Sequence, residues 1–178
     1  MADFWQEIKD LQTGIGAVIG LFGLALAALF NAHLNRKRDD RIRREESCTL
    51  ALALRTEVLR LVKSALARRV AVLGLVGVPI DRSAWATQEL TMPPAIVFQN
   101  SAAKIGLLGS ELVADVVDFY NVISESDNQV KIWRLRDSDE MVPKETLEHL
   151  DRHFTWMIEK GGPLAVKLER FAKKFTLR

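Results

Sequence analysis

The hydrophobic pattern changes character twice along this chain. Residues 13–30 form an unbroken run of eighteen uncharged positions without proline. At about 1.5 Å per residue this run measures roughly 27 Å as a helix, close to the apolar thickness of a bilayer. Ala32 and Leu34 extend it, so residues 13–34 read as a transmembrane helix. From there to residue 76 only Gly74 disfavours a helix. Leu50, Leu54, Val58, Leu61, Ala65 and Val72 recur near helical period and predict a buried stripe. Leu52, Leu59, Val62, Leu66 and Leu73 widen that stripe, which predicts packing in a bundle rather than in a two-stranded coil. Joined to the anchor, the helix makes a stalk of about 60 residues, or roughly 90 Å.

Residues 74–79 end this helix, and residues 80–92 read as a loop carrying Trp85. Pro93 and Pro94 open a short helix, because proline is tolerated in a first turn. Phe98, Ala102 and Ile105 supply its core positions. Gly106 and Gly109 bracket two leucines in a tight corner. Ser110 is the predicted N-cap of the next helix. Its stripe is Leu112, Val113, Val116, Phe119, Tyr120 and Ile123, with a bend expected at residues 124–128 before Val130, Ile132 and Trp133. Pro143 and Glu145 restart a helix with Leu147, Leu150, Phe154, Met157 and Ile158 buried. Gly161, Gly162 and Pro163 predict a break there. Leu164, Leu168, Phe171 and Phe175 line a last amphipathic helix, beside Lys167, Arg170, Lys173 and Lys174. No strand-like alternation and no internal repeat occur. The predicted fold is all-α, with one N-terminal transmembrane helix continuing into a long helix and a cytoplasmic helical bundle.

Charge fixes the expected orientation. Arg36, Lys37, Arg38, Arg41, Arg43 and Arg44 follow the apolar run, whereas Lys9 is the only basic residue before it. Basic residues stay on the cytoplasmic side, so the N-terminus is expected outside and the remainder inside. The same six residues are placed to touch anionic lipid, at about 1 kcal/mol each. Phe4 and Trp5 suit the opposite bilayer surface. The acidic start with Asp3, Glu7 and Asp10 lacks the positive region of a secretory leader and predicts an uncleaved anchor. The organisation is therefore a short external segment at 1–12, the anchor at 13–34, a basic and long-helical segment at 35–76, and a bundle at 77–178.

Within the anchor, Gly16, Gly20, Gly23 and Ala27 share one face at steps of four, three and four, and Asn31 continues it. Small residues so arranged let membrane helices approach closely. The expected partners are membrane lipid and another membrane protein or a second copy of the chain, without nucleic acid.

Composition adds limits. The chain has 178 residues, with 48% hydrophobic and 27% charged residues and a net charge of +2, enough for one core beyond the anchor. Cys48 is the single cysteine, so no intrachain disulfide forms. Glu145, His149 and His153 stand four apart on one helix, a spacing compatible with a metal. The stretch lacks the glutamate that follows the first histidine in zinc proteases, and surface histidines account for it; no metal or cofactor is assigned. GxxxxGK[ST] and GxSxG motifs are absent, and no catalytic residue is assigned. The C-terminal helix has the composition of a membrane-surface helix, but packing onto the bundle uses the same stripe.

Residues 30–46, with the junction FNAHLNRKRDDRIRREE, and residues 93–120 resemble small uncharacterised bacterial membrane proteins with one N-terminal anchor and a helical cytoplasmic domain. The resemblance implies a bacterial inner-membrane location and carries no activity, cofactor or catalytic residue. The expected role is a non-catalytic, membrane-anchored interaction protein, scaffold or accessory subunit. The alternative is a homo-oligomeric pore, for which the anchor offers only Thr13 and Asn31 as polar positions.

Overall fold

The computed structural model describes residues 2–76, 78, 85, 88–135 and 142–176, with side chains from Gly20 through Phe175. These residues form helix α1 (Ala2–Leu75), a short helix α2 (Ile96–Ser101), a 3-10 helix (Ala102–Leu108), α3 (Ser110–Leu135) and α4 (Lys144–Thr176). There is no strand among them. The chain divides into two units, Met1–Arg44 and Glu45–Arg178, and α1 contributes to both.

The first unit is helix alone. Leu21, Phe22, Leu24, Leu26, Leu29 and Phe30 are all exposed in it. Among the residues whose side chains are described, no helix is long and apolar enough to cross a membrane. Residues 13–19, which open the predicted span, fall outside that set, as do the side chains of Phe4, Trp5 and Gly16.

The second unit is a bundle of α1, α3 and α4 around one core. Side-chain contacts fix the directions. Cys48, Arg55 and Arg69 of α1 meet Ala172, Glu169 and Asp151 of α4 in reverse order, so these helices run antiparallel. Lys167 meets Asp115 while Phe119 stacks near Trp156, so α3 and α4 are antiparallel too. Leu54, Val58, Leu61, Ala65 and Val72 are fully buried on α1, as the helical period predicted. Phe119, Leu150, Phe154, Met157 and Leu168 complete the centre. Burying each such side chain contributes roughly 1.5–3 kcal/mol.

Ala102, expected in the core, and Ile132, expected on the stripe of α3, are exposed. Four further departures concern the helices themselves. First, α4 does not break at Gly161, Gly162 and Pro163 but runs through them. A Cβ on Gly161 would overlap the Val62 Cγ2 methyl and lie 3.0 Å from Phe119 Cε2. The glycine therefore leaves room for Val62 of α1 and Phe119 of α3 to pack against α4, and packing on both sides overrides its weak helix propensity. Second, α3 does not bend at residues 124–128. Ser126 is buried, and its hydroxyl donates back to the Val122 and Ile123 carbonyls at 3.0 and 2.9 Å, so the serine is satisfied inside a continuing helix.

Third, Ser110 is the first residue of α3 rather than its cap. Gly109 precedes it with φ of 81°, a left-handed conformation open to glycine, and the Gly109 carbonyl accepts the Val113 N–H at 3.0 Å. Fourth, Leu52, Leu59, Leu66 and Leu73 do not widen the core: they are 45%, 41%, 52% and 49% exposed. Of the predicted helix end and loop at residues 74–92, residues 77, 79–84 and 86–87 lie outside the described residues, as do residues 136–141 between α3 and α4.

The stretch before α2 has little regular structure and is held by side chains. Arg60 donates to the Pro94 carbonyl at 2.7 Å, Arg68 to Thr91 at 2.6 Å and Arg134 to Gln88 at 2.5 Å. Asp127 accepts the Met92 N–H at 2.7 Å. Trp85, Leu90 and Met92 are buried beneath them.

Candidate functional site

The outer face of α1 in the second unit carries a regular pattern of exposed residues. Leu52, Leu59, Leu66 and Leu73 are seven residues apart. Thr49, Thr56, Lys63 and Val70 fall between them at steps of three and four, and all eight are exposed. Alternating three- and four-residue steps are the a/d heptad of a coiled coil, with leucine at every d position. At 100° per residue this seam lies about half a turn from the buried stripe of Leu54, Leu61 and Ala65. One helix thus carries two stripes, and among the described residues only one is covered by the bundle.

Two of the three polar residues in the seam are satisfied locally. The Thr49 hydroxyl donates to the Glu45 carbonyl at 2.9 Å and the Thr56 hydroxyl to Leu52 at 3.0 Å. Each is satisfied within its own helix and needs nothing across the seam. The flanking cations are paired within the chain: Arg55 with Glu169 at 3.2 Å, Arg69 with Asp151 at 2.9 Å and Arg60 with Glu57 at 3.7 Å. Lys63 is the one charged residue among the eight.

The other residues predicted from sequence are exposed without being gathered into a site. A Cβ added at Gly20 or Gly23 meets nothing within 4 Å. Ala27, Asn31, Arg36, Lys37, Arg38, Arg41, Arg43 and Arg44 are exposed. The leucine seam was missed because its members sit one or two positions from core leucines; strict seven-residue spacing was the available signal.

Two further clusters belong to the bundle. Between α3 and α4, Glu125 faces His149 and His153, with Oε1 to Nε2 at 3.8 Å and Oε2 to Nε2 at 3.9 Å. Glu145, which shares the sequence spacing of the two histidines, is exposed and outside this group. Burial, then the neighbouring His149, pushes the His153 imidazole below its usual range, against the opposing pull of Glu125. Farther along the same pair of helices, an open groove of about 370 Å³ is lined by Phe119, Trp156, Pro163 and Leu164. Its rim charges Asp115 and Lys167 are already paired.

No protein-family model, curated protein or solved structure matches the chain.

Proposed function

We propose that this chain is a non-catalytic, membrane-anchored interaction protein of the bacterial inner membrane. In this reading it pairs in parallel with a second copy of itself along the outer face of α1 and presents a helical head on the cytoplasmic side. The observation that carries the reading is the exposed heptad seam of Leu52, Leu59, Leu66 and Leu73. A row of leucines left exposed by the described residues of the chain marks an interaction surface. A second copy is the occupant because identical heptads place leucine opposite leucine at each d layer of a parallel pair. Lys63, a lone charged a residue, costs stability and restricts the register and oligomer number.

The anchor supports the same arrangement. Six large apolar side chains between Leu21 and Phe30 are exposed, which suits lipid contact, and residues 13–19 add an uncharged extension in sequence. Two copies inserted the same way are necessarily parallel. Within the anchor, the series of Gly20, Gly23 and Ala27, with Asn31 beyond it, suits close approach of two parallel membrane helices. The basic group from Arg36 to Arg44 sets orientation and meets anionic headgroups.

Cysteine cross-linking in isolated membranes tests the pairing. With Cys48→Ser as background, Leu59→Cys and Leu66→Cys are expected to form disulfide dimers, and Lys160→Cys on α4 is not. Cross-linking of all three alike, or of none, removes the seam from the reading. An alkaline carbonate wash tests the anchor: the chain is expected to stay with the membrane, and its release disproves insertion.

A further inference from the structure

We propose that Glu125, His149 and His153 form a binding site for one divalent transition-metal ion of the zinc class, bridging α3 and α4. The three side chains come from two helices: Glu125 from α3, and the histidines from consecutive turns of α4. Four-residue spacing sends both imidazoles to the same side, with ring centroids 4.1 Å apart. One donor atom from each of the three residues can be taken so that all lie within 4.8 Å of one another.

The donors face one another without being hydrogen-bonded to one another. The carboxylate-to-imidazole separations of 3.8 and 3.9 Å are longer than a hydrogen bond, so neither imidazole is committed to one with Glu125. Tetrahedral zinc, with bonds of about 2.0–2.2 Å, spaces its donors about 3.4 Å apart. The two carboxylate-to-imidazole gaps are about half an ångström wider, and the three donors together span no more than 4.8 Å. Glu125 is more than half exposed and His149 one-third exposed, so both can turn toward an ion. The Nδ1 atom of His153 is buried without a hydrogen-bond partner among the described residues, which leaves its Nε2, facing Glu125, as the atom able to bind.

Donor chemistry selects the ion. Two imidazoles and one carboxylate suit zinc and its neighbours cobalt, nickel and copper, whereas calcium and magnesium require oxygen donors. Three protein ligands leave a coordination position for water. His149 and Glu125 are open enough to solvent for the ion to enter. A bound ion would tie α3 to α4 at the end of the bundle remote from the Lys167–Asp115 pair. This site is independent of the pairing along α1, whose seam lies on another helix.

The test uses the full chain without a histidine tag, purified in mild detergent and stripped with a chelator, then titrated with cobalt(II) and zinc(II). One cobalt per chain is expected, with the visible absorption of low-symmetry coordination, displaced by zinc, and zinc is expected to raise the unfolding temperature by several degrees. His149→Ala alters a half-buried position and Glu125→Ala an exposed one, and each is expected to weaken binding at least about tenfold while the metal-free helical signal stays unchanged. Absence of a stoichiometric cobalt spectrum overturns the site. So does binding that survives both substitutions. Binding lost in His149→Ala but intact in Glu125→Ala reduces it to a two-histidine chelate on α4 and overturns the bridge.

Discussion

The Tyr120 hydroxyl donates to Glu57 Oε2 at 2.7 Å inside the bundle, where Glu57 is only 4% exposed. The same carboxylate accepts the backbone N–H of Val97 at 2.8 Å and of Phe98 at 3.0 Å, so a residue of α1 caps α2 in place of a local side chain. Phe98 also stacks on Tyr120, with ring centroids 4.0 Å apart. One buried carboxylate therefore joins three elements. Burial, and then the hydrogen bond to Glu57, push the Tyr120 hydroxyl far above its usual range, which keeps it a donor. Tyr120→Phe is expected to cost about 1–2 kcal/mol, and Glu57→Ala about 2–4 kcal/mol because it strands three donors. Urea unfolding followed by circular dichroism measures both. A Glu57→Ala cost no larger than that of Tyr120→Phe would show that the cap contributes nothing.

Adjacent glycines in α4 should respond oppositely to the same substitution. Gly161→Ala places a methyl against Val62 and Phe119 and is expected to destabilise by about 1–3 kcal/mol. Gly162→Ala meets nothing within 4 Å and is expected to stabilise by about 0.5–1 kcal/mol through helix propensity. Thermal unfolding of the two variants decides the point. Equal shifts of the same sign would mean that α4 does not approach α1 at Gly161.

The two stripes of α1 should likewise separate folding from association. Leu54→Ala, on the buried stripe, is expected to cost about 2–5 kcal/mol. Leu66→Glu, on the exposed seam, is expected to change folding by no more than about 0.5 kcal/mol. It should nevertheless abolish the dimer in light scattering of the detergent-solubilised chain. A Leu66→Glu protein that remains dimeric removes the seam as the pairing surface.

Acid pH should expose Asp127. Burial raises its carboxyl above the ordinary value of 3.8, outweighing the Met92 N–H and the nearby Lys131, Arg68 and Arg134 that favour ionisation. A raised folded-state value means the fold prefers the protonated form, so this stabilisation is present below 3.8 and is lost as pH rises through the folded value. Asp127→Asn keeps an acceptor for Met92 but cannot ionise. Its stability relative to the wild-type chain is therefore expected to rise between pH 4 and pH 7, read as the difference in urea midpoints. A difference independent of pH would place the Asp127 carboxyl in ordinary solvation.

The sequence alone determined what short-range periodicity can encode. The all-helical class, the buried stripe from Leu50 to Val72, the stripe of Leu112, Val116 and Phe119 on α3, and that of Leu147, Leu150 and Phe154 on α4 all follow from spacing, because a helix repeats its face every 3–4 residues. Tertiary structure decided what depends on partners distant along the chain. Leu52 and Leu54 are alike in sequence, and only the positions of α3 and α4 leave one out and bury the other. Gly161 reads as a helix end until Val62 and Phe119 close on it from both sides, because packing energy there exceeds local propensity. His149 and His153 already share a face in the sequence, but their third potential ligand is Glu125 on α3 rather than Glu145 on their own helix. That choice is set by the crossing of two helices, which no local pattern contains.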